Sequence, residues 1–174
     1  MWEGGGPLAI GGAKQKALLA ILLLHANEVV SSDRLIEELW GEQRPEQATN
    51  ALHVFVFQLR KILERDHAPG TPNKVLVTRS PGYLIRLEPG ELDVDRFERL
   101  VEAAKRALAD DDPARASAKL RDALGLWRGP PLADLAYEPF AQTEIARLEE
   151  RRLVALEERI ESDLALGLHA DLPG

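Results

Sequence analysis

Apolar residues recur at helical spacing through most of this chain, and interruptions of that spacing divide it into segments. Residues 14–26 carry Ala17, Leu18, Ile21, Leu22 and Leu24 on a broad apolar face, which predicts a helix. Asn27 is its expected stop, because Asn tolerates the left-handed backbone at helix ends. After Val29-Val30, the run Ser31-Ser32-Asp33 supplies capping and first-turn residues for a short helix through Trp40. Leu35, Ile36 and Leu39 point inward from it, and Gly41 closes it. Pro45-Glu46 opens a third segment, since Pro is tolerated in a first helical turn and Glu suits its positive end. The run His53-Val54-Phe55-Val56-Phe57 has strand propensity. Placed at 100° per residue, however, Ala48, Leu52, Phe55, Val56, Leu59, Ile62 and Leu63 form one continuous stripe, so a helix is predicted over residues 47–63.

The period then changes. Residues 75–79 and 83–87 are short β-rich runs on either side of Ser80-Pro81-Gly82, and Pro followed by Gly fits the central positions of a type II turn. Three helices followed by a hairpin is the order of a winged helix-turn-helix. Trp40 and Tyr83, each at an element's end beside apolar neighbours, are expected in its core. The Gly-rich opening stretch offers at most one short strand, residues 7–10. Pro89-Gly90 is the expected boundary, dividing the chain into domains 1–90 and 91–174.

Beyond that boundary the pattern is helical. Asp93 or Asp95 is expected to cap a helix reaching about Ala109, with Phe97, Leu100, Val101, Ala104 and Leu108 apolar. Asp110-Asp111-Asp112-Pro113 is a turn, and residues 114–126 follow with Ala116, Leu120, Ala123 and Leu124 inward. Trp127-Arg128-Gly129-Pro130-Pro131 forces a break before a long helix over residues 140–166, apolar at Ile145, Leu148, Leu153, Leu156, Ile160 and Leu164. Antiparallel helices on short turns suggest a tetratricopeptide-like all-α domain, although no clean repeat is visible. The expected fold class is therefore mainly α with a small β hairpin: a winged helix-turn-helix followed by a tetratricopeptide-like helical domain.

Composition narrows the chemistry. A hydrophobic content of 45% with 29% charged residues is that of a globular protein. The chain has no cysteine, which excludes disulfides, zinc-thiolate sites and thiol catalysis. Its longest apolar run, residues 17–24, is far short of the roughly 20 residues that cross a bilayer, and a signal peptide is not expected. A soluble, cytoplasmic chain without membrane contact is expected. The four histidines (His25, His53, His67, His169) lack metal-ligand spacing, and Asp110-Asp111-Asp112 lacks the Gly and distal Glu of a calcium loop. Gly11-Gly12-Ala13-Lys14 lacks the spacing of a phosphate loop. With no nucleophile beside a base either, no enzyme activity, metal or cofactor is expected.

The net charge of −7 sits entirely in the second half. Residues 1–90 hold 10 basic against 10 acidic side chains, and residues 91–174 hold 12 against 19. Within the neutral half, residues 58–86 carry Arg60, Lys61, Arg65, Lys74, Arg79 and Arg86 against only Glu64 and Asp66. Local charge of this sign is what a phosphate backbone meets first, whereas the acidic half is repelled by it.

Several stretches carry a family likeness. Gly12-Ala13-Lys14-Gln15-Lys16-Ala17-Leu18-Leu19-Ala20, Val30-Ser31, Leu39-Trp40-Gly41, Leu59-Arg60-Lys61-Ile62-Leu63 and Pro81-Gly82-Tyr83 resemble the OmpR-type winged-helix domain. More specifically, they look like its version in the antibiotic regulatory (SARP-type) activators. Asp93-Val94-Asp95-Arg96-Phe97, the run from Ala123 through Trp127-Arg128-Gly129 to Leu132, and Arg147-Leu148-Glu149-Glu150-Arg151-Arg152-Leu153 resemble the bacterial transcriptional activation domain of the same activators. Against that family, the N-terminal sheet is expected to be shortened and the helical domain truncated at its C-terminus. The Trp127-Arg128-Gly129 run resembles the family's inter-helix corner, where the Trp packs and the Arg pairs with an acid.

The resemblance implies a transcriptional activator that binds double-stranded promoter DNA, usually as a homodimer on direct repeats, and recruits RNA polymerase. Opposite the core stripe of the third helix lie Asn50, Val54, Phe57 and Lys61, flanked by His53 and Arg60 and by Gln47, Ala51 and Gln58. Matching the family's recognition helix turns Asn50, His53, Val54, Phe57 and Gln58 toward base edges or nearby backbone. Gln pairs bidentately with adenine, and Val54 is placed to touch a thymine methyl. Arg60 and Lys61 suit phosphates, which position a protein without reading sequence. Phe57 is costly in water, and thymine methyls, a second protomer or an N-terminal sheet are its candidate covers. In the hairpin, Thr78, Arg79 and Ser80 sit where a wing approaches the sugar-phosphate backbone; the plainer alternative is a surface turn. Lys14 and Lys16 are expected to face solvent or touch backbone. A competing function is that of a protein-binding adaptor whose degenerate winged helix no longer holds DNA.

Overall fold

A computed structural model describes residues 10–64 and 71–167, and among these the chain forms six α-helices and three short strands. It divides into two compact units, Met1–Glu88 with Tyr137–Ala141 and Pro89–Ala136 with Gln142–Gly174.

In the first unit, α1 (Ala13–Leu24) is buried on most sides, including Leu19 and Ala20 outside the predicted face, while Leu24 is only half-buried. Asn27 ends this region with φ 66°, in the left-handed conformation expected of it. Its backbone N–H donates to the Ile85 carbonyl at 2.8 Å, and its side-chain amide exchanges two hydrogen bonds with the Leu87 backbone at 3.0 and 3.1 Å. The helix stop is thereby fastened to the far end of the sheet. Next, α2 (Ser32–Trp40) is capped by Ser31, whose hydroxyl accepts from the Arg34 N–H at 3.2 Å, and closes at Gly41 with φ 51°.

The third helix, α3 (Ala48–Leu63), starts after Pro45 and Glu46, not with them, and Gln47 is its N-cap residue without a capping side chain. Its buried line is Ala48, Leu52, Val56 and Leu59, each large member contributing about 1.5–3 kcal/mol by leaving water. Phe55 is half-buried and stacks on Trp40 at a ring separation of 6.0 Å. Trp40 is likewise half-buried, whereas Tyr83 lies in the core.

The expected hairpin forms, and a two-residue third strand extends it to a three-stranded antiparallel sheet. Its order is β1 (Val30–Ser31), β3 (Gly82–Ile85), β2 (Leu76–Arg79), with Val30 opposite Tyr83 and Arg79 opposite Gly82. The expected type II turn differs, because Pro81 and Gly82 are not its two central residues. The Ser80–Pro81 peptide is cis, Ser80 and Pro81 are the two loop residues, and Gly82 already belongs to β3. Gly82 is needed for another reason: a Cβ there would overlap the Val30 carbonyl oxygen and lie 2.7 Å from the Ser31 Cα. Of the strand expected at residues 7–10, residues 7–9 lie outside the described ones and Ile10 is in no strand.

In the second unit, α4 (Asp93–Ala109) and α5 (Pro113–Leu124) form a helical hairpin. Leu92, not Asp93 or Asp95, is the N-cap of α4; the two carboxylates lie in its first turn, where the helix dipole favours them. Asp112 does cap α5, accepting from the Arg115 N–H at 3.0 Å, with Pro113 in the first turn. Ala104, Ala107, Ala116 and Ala123 are buried together with Phe97 and Leu120, and such small side chains let helices approach closely. Leu108, expected inward, is exposed. Trp127 packs edge-on against Phe97 at 5.5 Å and Arg128 pairs with Asp93 at 2.7 Å, as the family corner implies.

On α6 (Pro139–Ala165) the buried line in this unit runs through Leu148, Ala155, Ser162 and Asp163. Leu153 and Leu164, chosen from the sequence for their bulk, are 60% and 47% exposed. The Ser117 hydroxyl donates to the buried Asp163 carboxylate, which Arg159 approaches at 3.6 Å. A buried carboxylate is tolerated when it is partnered in this way.

Candidate nucleic-acid interface

Burying Ala48, Leu52, Val56 and Leu59 fixes which residues of α3 look outward. Asn50, His53, Val54, Phe57, Gln58 and Lys61 are all exposed along this face. Val54 is 51% and Phe57 57% exposed, and the Lys61 ammonium sits 4.5 Å from the centre of the Phe57 ring. Thr78, Arg79 and Ser80 are exposed at the end of the β2–β3 ribbon. The Ser32 N–H, at the start of α2, donates to the Pro81 carbonyl at 3.1 Å and holds the ribbon's turn.

Arg60 departs from its expected surroundings. It is half-buried, its Nε donating to the Leu76 carbonyl at 2.9 Å and its Nη2 to the Thr78 hydroxyl at 2.8 Å. Two of its donor groups are thus spent on β2, and the Thr78 hydroxyl serves as an acceptor for one of them. At the C-cap of α3, the Glu64 carboxylate accepts from the backbone N–H groups of Lys74, Val75 and Leu76 at 2.9 to 3.2 Å. Charge-assisted bonds of this kind are about twice as strong as neutral ones. Arg60 and Glu64 therefore clamp the end of α3 to the start of the wing.

Glu64 was not among the residues singled out from sequence. Its spacing from Arg60 reads as an ordinary helical ion pair, and nothing in the local pattern shows that its partners are strand N–H groups. Burial pushes the Tyr83 phenol above its ordinary value, an effect that the nearby Arg60 charge partly offsets. Lys14, expected to meet solvent or backbone, has a 40% exposed side chain that also lies 3.2 Å from the Glu138 carboxylate. Among the described residues no cluster of three or more His, Asp or Glu side chains is placed to hold a metal ion.

Three helices, a three-stranded sheet and an exposed third-helix face beside a wing define a winged-helix protein with an appended helical domain. Residues 9–85 match the family described as transcriptional regulatory protein, C terminal, and residues 92–173 match the bacterial transcriptional activator domain. The chain is 43% identical over 171 residues to regulatory protein AfsR of Streptomyces coelicolor, covering 98% of this chain and 16% of that one. Its identity to regulatory protein DnrI of Streptomyces peucetius is 42% over 163 residues, covering 91% of this chain and 60% of DnrI. A solved structure, Mycobacterium tuberculosis EmbR in complex with a low affinity phosphopeptide, superposes with a TM-score of 0.88 at 34% identity, covering 94% of this chain and 42% of EmbR. The two matches together cover most of the chain and join a transcriptional-regulator winged helix to a bacterial transcriptional activator domain, which makes the chain similar to the antibiotic regulatory (SARP-type) regulators. It spans well under two thirds of the length of AfsR and EmbR, and 60% of DnrI.

Proposed function

We propose that this chain is a sequence-specific DNA-binding transcriptional activator whose α3 enters the major groove while the β2–β3 wing rests on the adjacent backbone. The observation that carries this reading is the outward face of α3, where hydrogen-bonding side chains stand exposed with a cation on a helix whose end is joined to β2. Asn50 and Gln58 have the amide geometry that pairs bidentately with adenine, each such pair giving about 1–3 kcal/mol of discrimination. His53 offers a further polar contact to base or backbone. Lys61 and Arg79 neutralise phosphates, and Ser80 adds a hydroxyl at the wing tip. Arg60, with donors engaged by Leu76 and Thr78, is assigned to holding the wing in place, not to a phosphate.

The helical unit is assigned to a protein partner. Its surplus of 19 acidic over 12 basic side chains in residues 91–174 disfavours DNA, and its family match supports a contact with RNA polymerase. Two copies on a repeated site, acting in the cytoplasm without catalysis, complete the proposal. Selection from random duplexes followed by sequencing tests it. The expected result is an enriched motif repeated at helical-turn spacing. Absence of enrichment, with no duplex retained at low salt, would favour the adaptor function instead.

A further inference from the structure

We infer that Val54 and Phe57 form a reader of pyrimidine C5-methyl groups, so that the operator is recognised partly by the methyls of specific thymines. This inference rests on the DNA-binding function proposed above and specifies what that face recognises. Val54 and Phe57 are three residues apart on α3, neighbours on one helix face, and each is more than half exposed. Around them, Asn50, His53, Gln58 and Lys61 are exposed polar residues. The apolar pair is thus an island within a polar, hydrogen-bonding surface.

Its size decides between occupants. A stable protein interface engages about 20–30 residues a side, far more than two side chains surrounded by amides and a cation. The thymine methyl is the apolar group that a major groove presents, and it sits among base-edge acceptors and donors. An apolar pair within reach of Asn50 and Gln58 matches that arrangement of one methyl beside hydrogen-bonding edges. Lys61 strengthens the match. Its ammonium covers part of the Phe57 ring at 4.5 Å, which orients the ring and carries a positive charge toward the phosphates flanking the groove.

The test keeps the protein intact and edits the DNA. A duplex enriched from a random pool is resynthesised with deoxyuridine in place of each thymine in turn, which removes one methyl and leaves every hydrogen-bonding group. The expected result is a loss of about fourfold in affinity at one or two positions, the factor for one methyl-sized group leaving water, and little change elsewhere. Val54→Ala and Phe57→Ala should each reduce the thymine-over-uracil preference at one of those positions while the protein still binds DNA. If uracil-containing duplexes bind as well as the parent at every position, the methyl reader is overturned and DNA binding stands. The reader is equally overturned if both variants keep the full preference. If the unmodified chain retains no duplex, both proposals fail. A salt-insensitive self-association lost in Phe57→Ala, with no thymine preference, would overturn the reader by assigning the pair to a second copy.

Discussion

Gly82 and Tyr83 are adjacent in the sequence and lie in one strand, yet they serve the wing in opposite ways. Gly82 matters for what it lacks. Any Cβ at this position meets the Val30 carbonyl and the Ser31 backbone, neither of which yields as a flexible side-chain end does. Gly82→Ala should therefore destabilise the first unit by about 3 kcal/mol, the upper end of what overpacking usually costs, as read from urea denaturation. A loss below about 0.5 kcal/mol, the size of an ordinary surface substitution, would show that β1 can move away freely. Tyr83 matters for what it buries. Its phenol is held protonated by burial, so its folded-state pKa lies above the ordinary 10.0. The unfolded chain then releases that proton first as the pH rises, and stability should fall as pH climbs above about 10. Denaturation midpoints measured from about pH 8 to 11 check this, and Tyr83→Phe should flatten the alkaline decline.

Between elements, the decisive connection is the clamp from α3 to β2. Glu64 satisfies three backbone N–H groups at the entrance to the wing, and Arg60 grips the next residues along. Glu64→Ala leaves those donors without a carboxylate and should cost about 1–3 kcal/mol of stability. It should also weaken DNA binding at every sequence without changing the salt dependence, because no phosphate contact is lost. Glu64→Gln, which keeps one acceptor oxygen, should recover part of both. Anisotropy titrations at two salt concentrations beside a denaturation curve separate these effects. How legible each element is in the sequence follows from side-chain size and element length. The stripe from Ala48 to Leu63 is plain because large apolar residues repeat at helical spacing over sixteen positions. By contrast, β1 has two residues, too few for any period, and becomes a strand only through its pairing with β3. The inward line of α6 is hidden because Ala155, Ser162 and Asp163 are small or polar while Leu153 and Leu164 face water. Close helix packing selects small residues, which a search for bulk passes over.

For the whole molecule, charge distribution connects fold to function. A chain with a net charge of −7 binds DNA only if its acidic residues lie away from the contact surface, and the imbalance is confined to residues 91–174. The candidate face itself was only half legible. Periodicity sufficed to turn Asn50, His53, Val54, Phe57, Gln58 and Lys61 outward, whereas the engagement of Arg60 and Thr78 with each other depends on a tertiary contact between α3 and β2. DNA binding by α3 and the wing through a small set of cations is read from the affinity for a promoter duplex across a salt series. Binding should weaken linearly in log–log form, with a slope of about −0.9 per phosphate neutralised. Lys61→Ala should make that slope shallower by about one unit per protomer, at every sequence, with the stability of the fold unchanged. An affinity that does not vary with salt, or a Lys61→Ala slope identical to that of the unaltered chain, would show that this face does not hold the DNA backbone.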